Sequence, residues 1–285
     1  MQKVLIQLDT DQHASSFDSI TAIDAGVDSL LTYSGVTPND VRSIVHGAMF
    51  TRGIEALKNT AIFVGGTNVS AAESILTTVR DCFFGRFRVS AMLDANGCNT
   101  TASAAVVCLA ERITLSGATV VVMGSTGPVG RRVCKLLGLS GASVIATSRS
   151  IESAEKLAME VNESLRTNLV RGTQATSAID KAKLLRAADG LVACGSAGVE
   201  LVDETTLCQS ERLQVAIDLN AVPPAGIGGI DAGNKAKMVG HVCTFGAIGV
   251  GGLKMKTHSA AIQALFESND NVLREEEIFE IAKGV

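Results

Sequence analysis

Thr119-Val120-Val121-Val122-Met123 runs into Gly124-Ser125-Thr126-Gly127-Pro128-Val129-Gly130, and this stretch carries the reading of the fold. An unbroken apolar run fits a strand buried on both faces, as a parallel sheet covered by helices requires. The glycines follow at G-x-x-G-x-x-G spacing, and 133–139 then reads as helix. In such a strand–loop–helix the first glycine permits a tight turn and the second lets the backbone approach a pyrophosphate. The third lets the helix pack close to the strand. The N–H groups of the first helical turn face the phosphates, and the helix dipole favours their charge. Gly124, Ser125, Thr126, Gly127, Pro128, Val129 and Gly130 are therefore candidate dinucleotide contacts.

Moving outward, strands are expected at 143–147, near 168–170, at 191–194 and at 215–218, with helices at 151–164 and 177–187. On the N-terminal side, apolar runs give strands at 4–8, 61–64 and 89–93. Helical spacing covers 17–29, 70–84 and an Ala-rich segment at 102–113. Thr37-Pro38-Asn39-Asp40 reads as a capped helix start. From about 226 the chain is Gly-rich up to Gly252, and helices at 254–267 and 274–283 close it. Alternating strands and helices predict an α/β fold with two open α/β domains, the second a Rossmann-type, doubly wound parallel sheet. The expected division is 1–114, completed by 254–285, and 115–253 as the dinucleotide domain.

An NAD site usually has an acid at the end of the second strand to bond the ribose 2′-hydroxyl. Here that position reads Ser148-Arg149-Ser150, and no acid appears before Glu152. A guanidinium flanked by hydroxyls suits a 2′-phosphate, so NADP is the preferred cofactor. Cys194, Gly195 and Asn220, at the ends of later strands, complete the candidate cofactor set.

Composition narrows the function class. The chain has 285 residues, 46% hydrophobic and 19% charged, with net charge −4 and no basic stripe. That excludes a disordered chain and a phosphate-backbone binder, so no nucleic acid is expected as partner. No run of 18 apolar residues exists, so no membrane span is expected. The seven cysteines are odd in number and hold no C-x-x-C spacing, and the four histidines form no i, i+4 pair. Buried thiols in a reducing compartment follow, with no metal site. The apolar run Val4-Leu5-Ile6 is too short for a secretory signal, and a cytoplasmic location is expected.

The acid–base chemistry is unusual for a nicotinamide enzyme. The single tyrosine, Tyr33, has no lysine four residues on, which excludes a Tyr-x-x-x-Lys pair. His241 and His258 have no acid beside them in sequence. Oxidising a methylene that bridges two nitrogens needs no base, because hydride loss leaves a cation stabilised by nitrogen lone pairs. The protein then supplies alignment and dryness.

Further segments carry a resemblance over nearly the whole chain. They are Gln7-Leu8-Asp9-Thr10-Asp11, Thr60-Ala61-Ile62-Phe63-Val64-Gly65-Gly66, Phe87-Arg88-Val89-Ser90-Ala91-Met92-Leu93-Asp94 and Asn96-Gly97-Cys98-Asn99-Thr100-Thr101. The Gly127-Pro128-Val129-Gly130 turn, Asn220-Ala221-Val222-Pro223-Pro224-Ala225-Gly226-Ile227-Gly228-Gly229-Ile230-Asp231 and Gly251-Gly252-Leu253-Lys254-Met255-Lys256-Thr257-His258 add to them. With these the sequence resembles the NADP-dependent methylene-tetrahydromethanopterin dehydrogenases of methylotrophic bacteria. The resemblance implies oxidation of methylene- to methenyl-tetrahydromethanopterin, two domains with the active cleft between them, and a homo-oligomer, a trimer. Strictly NADP-using relatives carry Gly-Arg-Lys where this chain has Ser148-Arg149-Ser150, which leaves room for NAD as well.

Strand C-termini face the ligand in open α/β sheets, so Thr10, Asp11, Asp94, Asn96, Asn99, Thr100 and Thr101 are candidate substrate contacts. The competing role is helix capping, by Asp11 or Ser15 in the first loop and by one of Asn99, Thr100 and Thr101 in the later one. Asp18 is a pterin contact, and Lys256, with Lys254 beside it, a catalytic candidate, through the resemblance. Neither lysine acts as a base in hydride loss; the expected role is orientation or shielding. Three other readings stay open: a methylene-tetrahydrofolate dehydrogenase, a quinate/shikimate-type dehydrogenase, for which Lys58-Asn59 is a poor Lys–Asp pair, and an NADP-sensing regulatory Rossmann protein.

Overall fold

The apolar runs read as strands assemble into two sheets in the computed structural model, which describes residues 1–285. The chain divides into Met1–Thr100 with Met255–Val285 and, separately, Thr101–Lys254. The passages between the two lie within helices.

In the first unit, β1 (Val4–Asp9), β2 (Ser29–Tyr33), β3 (Thr60–Gly65), β4 (Ser90–Leu93) and β12 (Val272–Leu273) form one parallel sheet in the order β12-β4-β3-β1-β2. The central β3 is buried along its whole length, matching its unbroken apolar sequence. Helices α1 (Ser16–Asp24), α2 (Pro38–Phe50) and α3 (Val69–Asp81) connect successive strands. Ser15 Oγ accepts from Asp18 N and caps α1, while Thr37 and Asp40 form a reciprocal box at the start of α2. Strand order reverses between β1 and β3, so their exit loops border the crevice where an open sheet of this kind takes its ligand. Neither β2 nor β12 has a sequence signal: β2 follows what reads as helix, and β12 is two residues long.

In the second unit, β5 (Thr119–Met123), β6 (Ser143–Ser148), β7 (Val170–Gln174), β8 (Gly190–Ala193), β9 (Val215–Asp218) and β11 (Val242–Phe245) run parallel. An antiparallel β10 (Lys235–Val239) forms the edge. The order β10-β11-β9-β8-β5-β6-β7 is the doubly wound Rossmann order with one added strand. Helices α5 (Pro128–Leu139), α6 (Ile151–Leu165), α7 (Ala178–Leu185) and α8 (Glu204–Cys208) link the strands. The hairpin of β10 and β11 is absent from the sequence reading, which took that region as a Gly-rich connection.

Helix α4 (Cys98–Ala110) begins four residues before the expected 102, and the division between units falls inside it instead of after 114. The reason is packing: the position a Gly190 Cβ would take lies 3.1 Å from Leu109 and 3.2 Å from Ile113, so the body of the helix rests on β8. Helix α9 (Ala247–Ala264) likewise starts seven residues before the expected 254 and takes in Gly249, Gly251 and Gly252. At Gly249 a Cβ would stand 1.8 Å from the Asn234 carbonyl oxygen, so only glycine lets the helix approach there. The chain ends in α10 (Glu275–Ala282).

Asp189, before β8, accepts from the Thr119 backbone N–H at 2.8 Å and pairs with Arg212 through two hydrogen bonds. The guanidinium, with help from that N–H and against burial, holds its carboxyl below the usual carboxylate range. A depressed folded value means stability that is present above the unfolded pKa and lost as pH falls through the folded one. Arg212→Met should therefore lower Tm at neutral pH, and the deficit should close as the solution is acidified below the carboxylate range. Thermal melts across pH check this; a deficit independent of pH would deny the pair its part.

Candidate functional site

The turn after β5 matches the division of labour among its glycines. Gly124 has φ +70°, and a Cβ there would lie 2.8 Å from Gly195 Cα, where β8 exits. Gly130 faces Ser125, with 2.7 Å between its would-be Cβ and Ser125 Cα, so α5 sits tight against the turn. Gly127 is different: as N-cap of α5 it has nothing nearer than the Gly124 carbonyl oxygen at 3.8 Å. Its outer side faces open space at the helix N-terminus, where an anion is favoured.

A cavity of about 530 Å³ lies along this turn. Of the expected contacts, Gly124, Thr126, Gly127, Ser148, Arg149, Cys194 and Gly195 line it. Cys194 contributes as an apolar group, since burial pushes its thiol well above the ordinary range. The other expected contacts are not among its lining residues, and their places are these. Ser125 is fully buried and donates to the Thr147 carbonyl at 3.0 Å, tying the turn to β6. Pro128 opens α5, and Val129 follows it in that first turn. Ser150 caps α6, accepting from Ser153 N and donating to Glu152 at 2.6 Å, so its hydroxyl is taken. Asn220 holds its own turn, donating to the Pro224 carbonyl and accepting from Val222 N. The glycine at 226 serves the same turn: a Cβ would come within 2.6 Å of Asp218 Oδ1. Sequence reasoning missed Thr147, Thr176, Lys181 and Glu200, which line the cavity from β6, the loop after β7, α7 and the loop after β8. None belongs to a motif; the Rossmann crossover alone brings them there.

In the first unit the loops after β1, β3 and β4 are knitted together by carboxylates. Asp9, fully buried, accepts from Asp11 N and Ser15 N, each at 2.9 Å. Asp11 accepts from Thr67 N and Thr67 Oγ1, joining the β1 loop to the β3 loop. It caps no helix; Ser15 does. Gly66, at φ +108°, lets Thr10 lie against it, since a Cβ would fall 2.0 Å from Thr10 Oγ1.

Asp94 accepts from Asn99 N at 2.9 Å, Thr100 N at 3.1 Å and Thr100 Oγ1 at 2.6 Å, and so holds the start of α4. Asn99 donates to the Leu93 carbonyl. Asp94, Asn99 and Thr100 are fully buried and hold the loop at the start of α4 through these hydrogen bonds. Asn96, exposed at φ +53°, and Thr101, half-buried, are not engaged in this way.

One histidine joins this cluster. His258, fully buried on α9, stacks on Phe63 with centroids 5.6 Å apart. Its Nε2 is 4.0 Å from Asp18 Oδ1 and its Nδ1 3.9 Å from Asp94 Oδ2. The acids missing beside it in sequence arrive from α1 and β4. Lys256 is exposed two residues earlier on α9, and Lys254 is half-buried; both sit in mid-helix, not at its start.

Comparison with known proteins adds names to this geometry. Residues 16–96 match the family described as methylene-tetrahydromethanopterin dehydrogenase, N-terminal. The chain is 40% identical over 284 residues to the bifunctional protein MdtA of Methylorubrum extorquens, covering 99% of this chain and 98% of that protein. It is 30% identical over 280 residues to the NAD(P)-dependent methylenetetrahydromethanopterin dehydrogenase of the same organism, covering 94% and 93%. Among solved structures, quinate dehydrogenase from Corynebacterium glutamicum in complex with NAD matches with a TM-score of 0.55 at 12% identity, over 100% of this chain and 99% of that one. That last likeness is one of fold alone.

Proposed function

The chain belongs to the methylene-tetrahydromethanopterin dehydrogenase family, and we propose that it transfers a hydride from methylene-tetrahydromethanopterin to NADP, giving methenyl-tetrahydromethanopterin and NADPH. The observation that carries the reading is 30% identity across 94% of the chain to a methylenetetrahydromethanopterin dehydrogenase, joined to a glycine turn whose open side at Gly127 leaves a backbone surface for a pyrophosphate. The residues fit the dinucleotide: Gly127 and the start of α5 suit its phosphates, and Arg149 suits a 2′-phosphate. When bound, the nicotinamide supplies a two-electron acceptor.

The protein's own part is placement. Asp18, in the first turn of α1 and against His258, holds the pterin ring by hydrogen bonding, with Thr10 and Asn96 as further contacts from the loops after β1 and β4. Asp11 and Asp94 fix the loops that carry these groups. Lys256 orients or shields the carrier and takes no proton; its ammonium directly at the reacting carbon would oppose the forming cation. The carbon loses a hydride and its electron pair, and no proton has to move. The same reading takes the enzyme as a homo-oligomer, a trimer, and as cytoplasmic, where seven free thiols stay reduced.

Formation of reduced nicotinamide, followed by absorbance with each pterin carrier and each nicotinamide, tests the activity. Asp18→Ala should raise KM for the methylene carrier about ten- to a hundredfold, the worth of one hydrogen bond to a charged group. KM for NADP should move little. No turnover with tetrahydromethanopterin or folate carriers would overturn the reading, and an unchanged carrier KM in Asp18→Ala would remove that residue from it.

A further inference from the structure

We propose that Lys181 on α7 is the second cation of the 2′-phosphate site, making this chain select NADP over NAD without the Arg-Lys pair that strict NADP users carry in sequence. The proposal rests on the cofactor reading above and deepens it.

Arg149 leaves the end of β6, and Lys181 comes from the first turns of α7, after the β7 exit loop. Both line one cavity, together with Ser148 and Thr176. In a Rossmann fold this corner, at the end of the second strand, is where the adenosine ribose lies. Lys181 is half-buried, and neither its ammonium nor the Arg149 guanidinium is held by an ion pair or a hydrogen bond within the chain. Glu200 borders the same cavity and forms no ion pair with Lys181.

Chemistry then favours a particular guest. Two cations on one cavity lining, neither ion-paired within the chain, favour an anionic guest between them. A phosphate monoester carries a charge of about −1.5 to −2 near neutral pH, so a single guanidinium leaves it under-neutralised. A planar fork on one side and a mobile point charge on the other match such a group. A ribose 2′-hydroxyl would gain little from either. Ser148 and Thr176 add neutral donors suited to the same oxygens.

The test uses the whole protein and two fragments, 2′,5′-ADP and 5′-AMP, with binding measured by calorimetry and NADPH binding by fluorescence. The wild type should prefer 2′,5′-ADP, and that preference should shrink with added salt. Lys181→Met should cut the ratio of the two affinities about tenfold. Arg149→Met should do at least as much, and Lys183→Met, exposed on the same helix, should leave the ratio alone. Lys181→Arg should restore most of it. If Lys181→Met folds by circular dichroism yet keeps the wild-type ratio, Lys181 has no such role while the cofactor site stands. A wild-type ratio near one also overturns the proposal. Failure of the wild type to bind either fragment or NADPH would overturn the cofactor reading itself, and this inference with it.

Discussion

Gly127→Ala should leave the protein folded with a near wild-type Tm and weaken NADPH binding by at least about tenfold. The expectation follows from which side of the residue is open. Gly127 has ordinary extended backbone angles, with φ −71° and ψ 166°, so alanine fits without backbone strain. Its Cβ would meet only the Gly124 carbonyl oxygen at 3.8 Å, an ordinary contact. The methyl would occupy the space by which a pyrophosphate reaches the N–H groups of α5, and lost phosphate hydrogen bonds are charge-assisted. Gly124→Ala is the instructive contrast. There φ is +70° and the methyl would fall 2.8 Å from Gly195 Cα and 2.9 Å from its nitrogen, so the walls of the cavity must part. That variant should lose stability and binding together, with about 1–2 kcal/mol from the left-handed backbone alone. Fluorescence titration with NADPH beside thermal melts separates the two cases. Undiminished NADPH affinity in Gly127→Ala would mean that the phosphates do not pass over this turn.

The second large effect concerns Asp94. Asp94→Ala should destabilise the fold by about 3–5 kcal/mol, a fall in Tm of roughly 10 °C for a chain of this size. Its carboxylate receives two backbone N–H groups and one hydroxyl in a fully buried place. With alanine the two N–H groups lose their acceptor, the hydroxyl keeps only the Gly97 carbonyl at 3.3 Å, and the first turn of α4 loses its anchor. The His258 ring would also lose the carboxylate 3.9 Å from its Nδ1. Asp94→Asn keeps one acceptor oxygen and should retain more than half of the lost stability. A melt of Asp94→Ala that coincides with wild type, together with a raised carrier KM, would return Asp94 to the substrate-binding role that its loop position suggested.

Where the sequence reading and the structure part company, the cause is distance along the chain. The strand–glycine–helix at 119–139 was legible because every group it needs is local: apolar run, turn and helix start lie within one short segment. Thr37 as a helix cap was legible for the same reason, and the cap of α1 was narrowed to Asp11 or Ser15, of which the structure uses Ser15. Asp94 as an anchor of α4 was less so, since its loop position serves a ligand contact and a cap equally well. The approach of His258 to Asp18 and Asp94 had no local signal, and neither did the presence of Lys181 in the cavity that Arg149 lines.

Sequence alone determined that this is a two-part α/β chain with a dinucleotide turn, because short-range sterics and hydrophobic periodicity act residue by residue. Tertiary structure alone decided which polar groups near that turn and near the β1, β3 and β4 exits remain available. A side chain such as Ser150 or Asn220 gives part of its hydrogen-bonding capacity to its own backbone, and folding settles how much is left for a ligand.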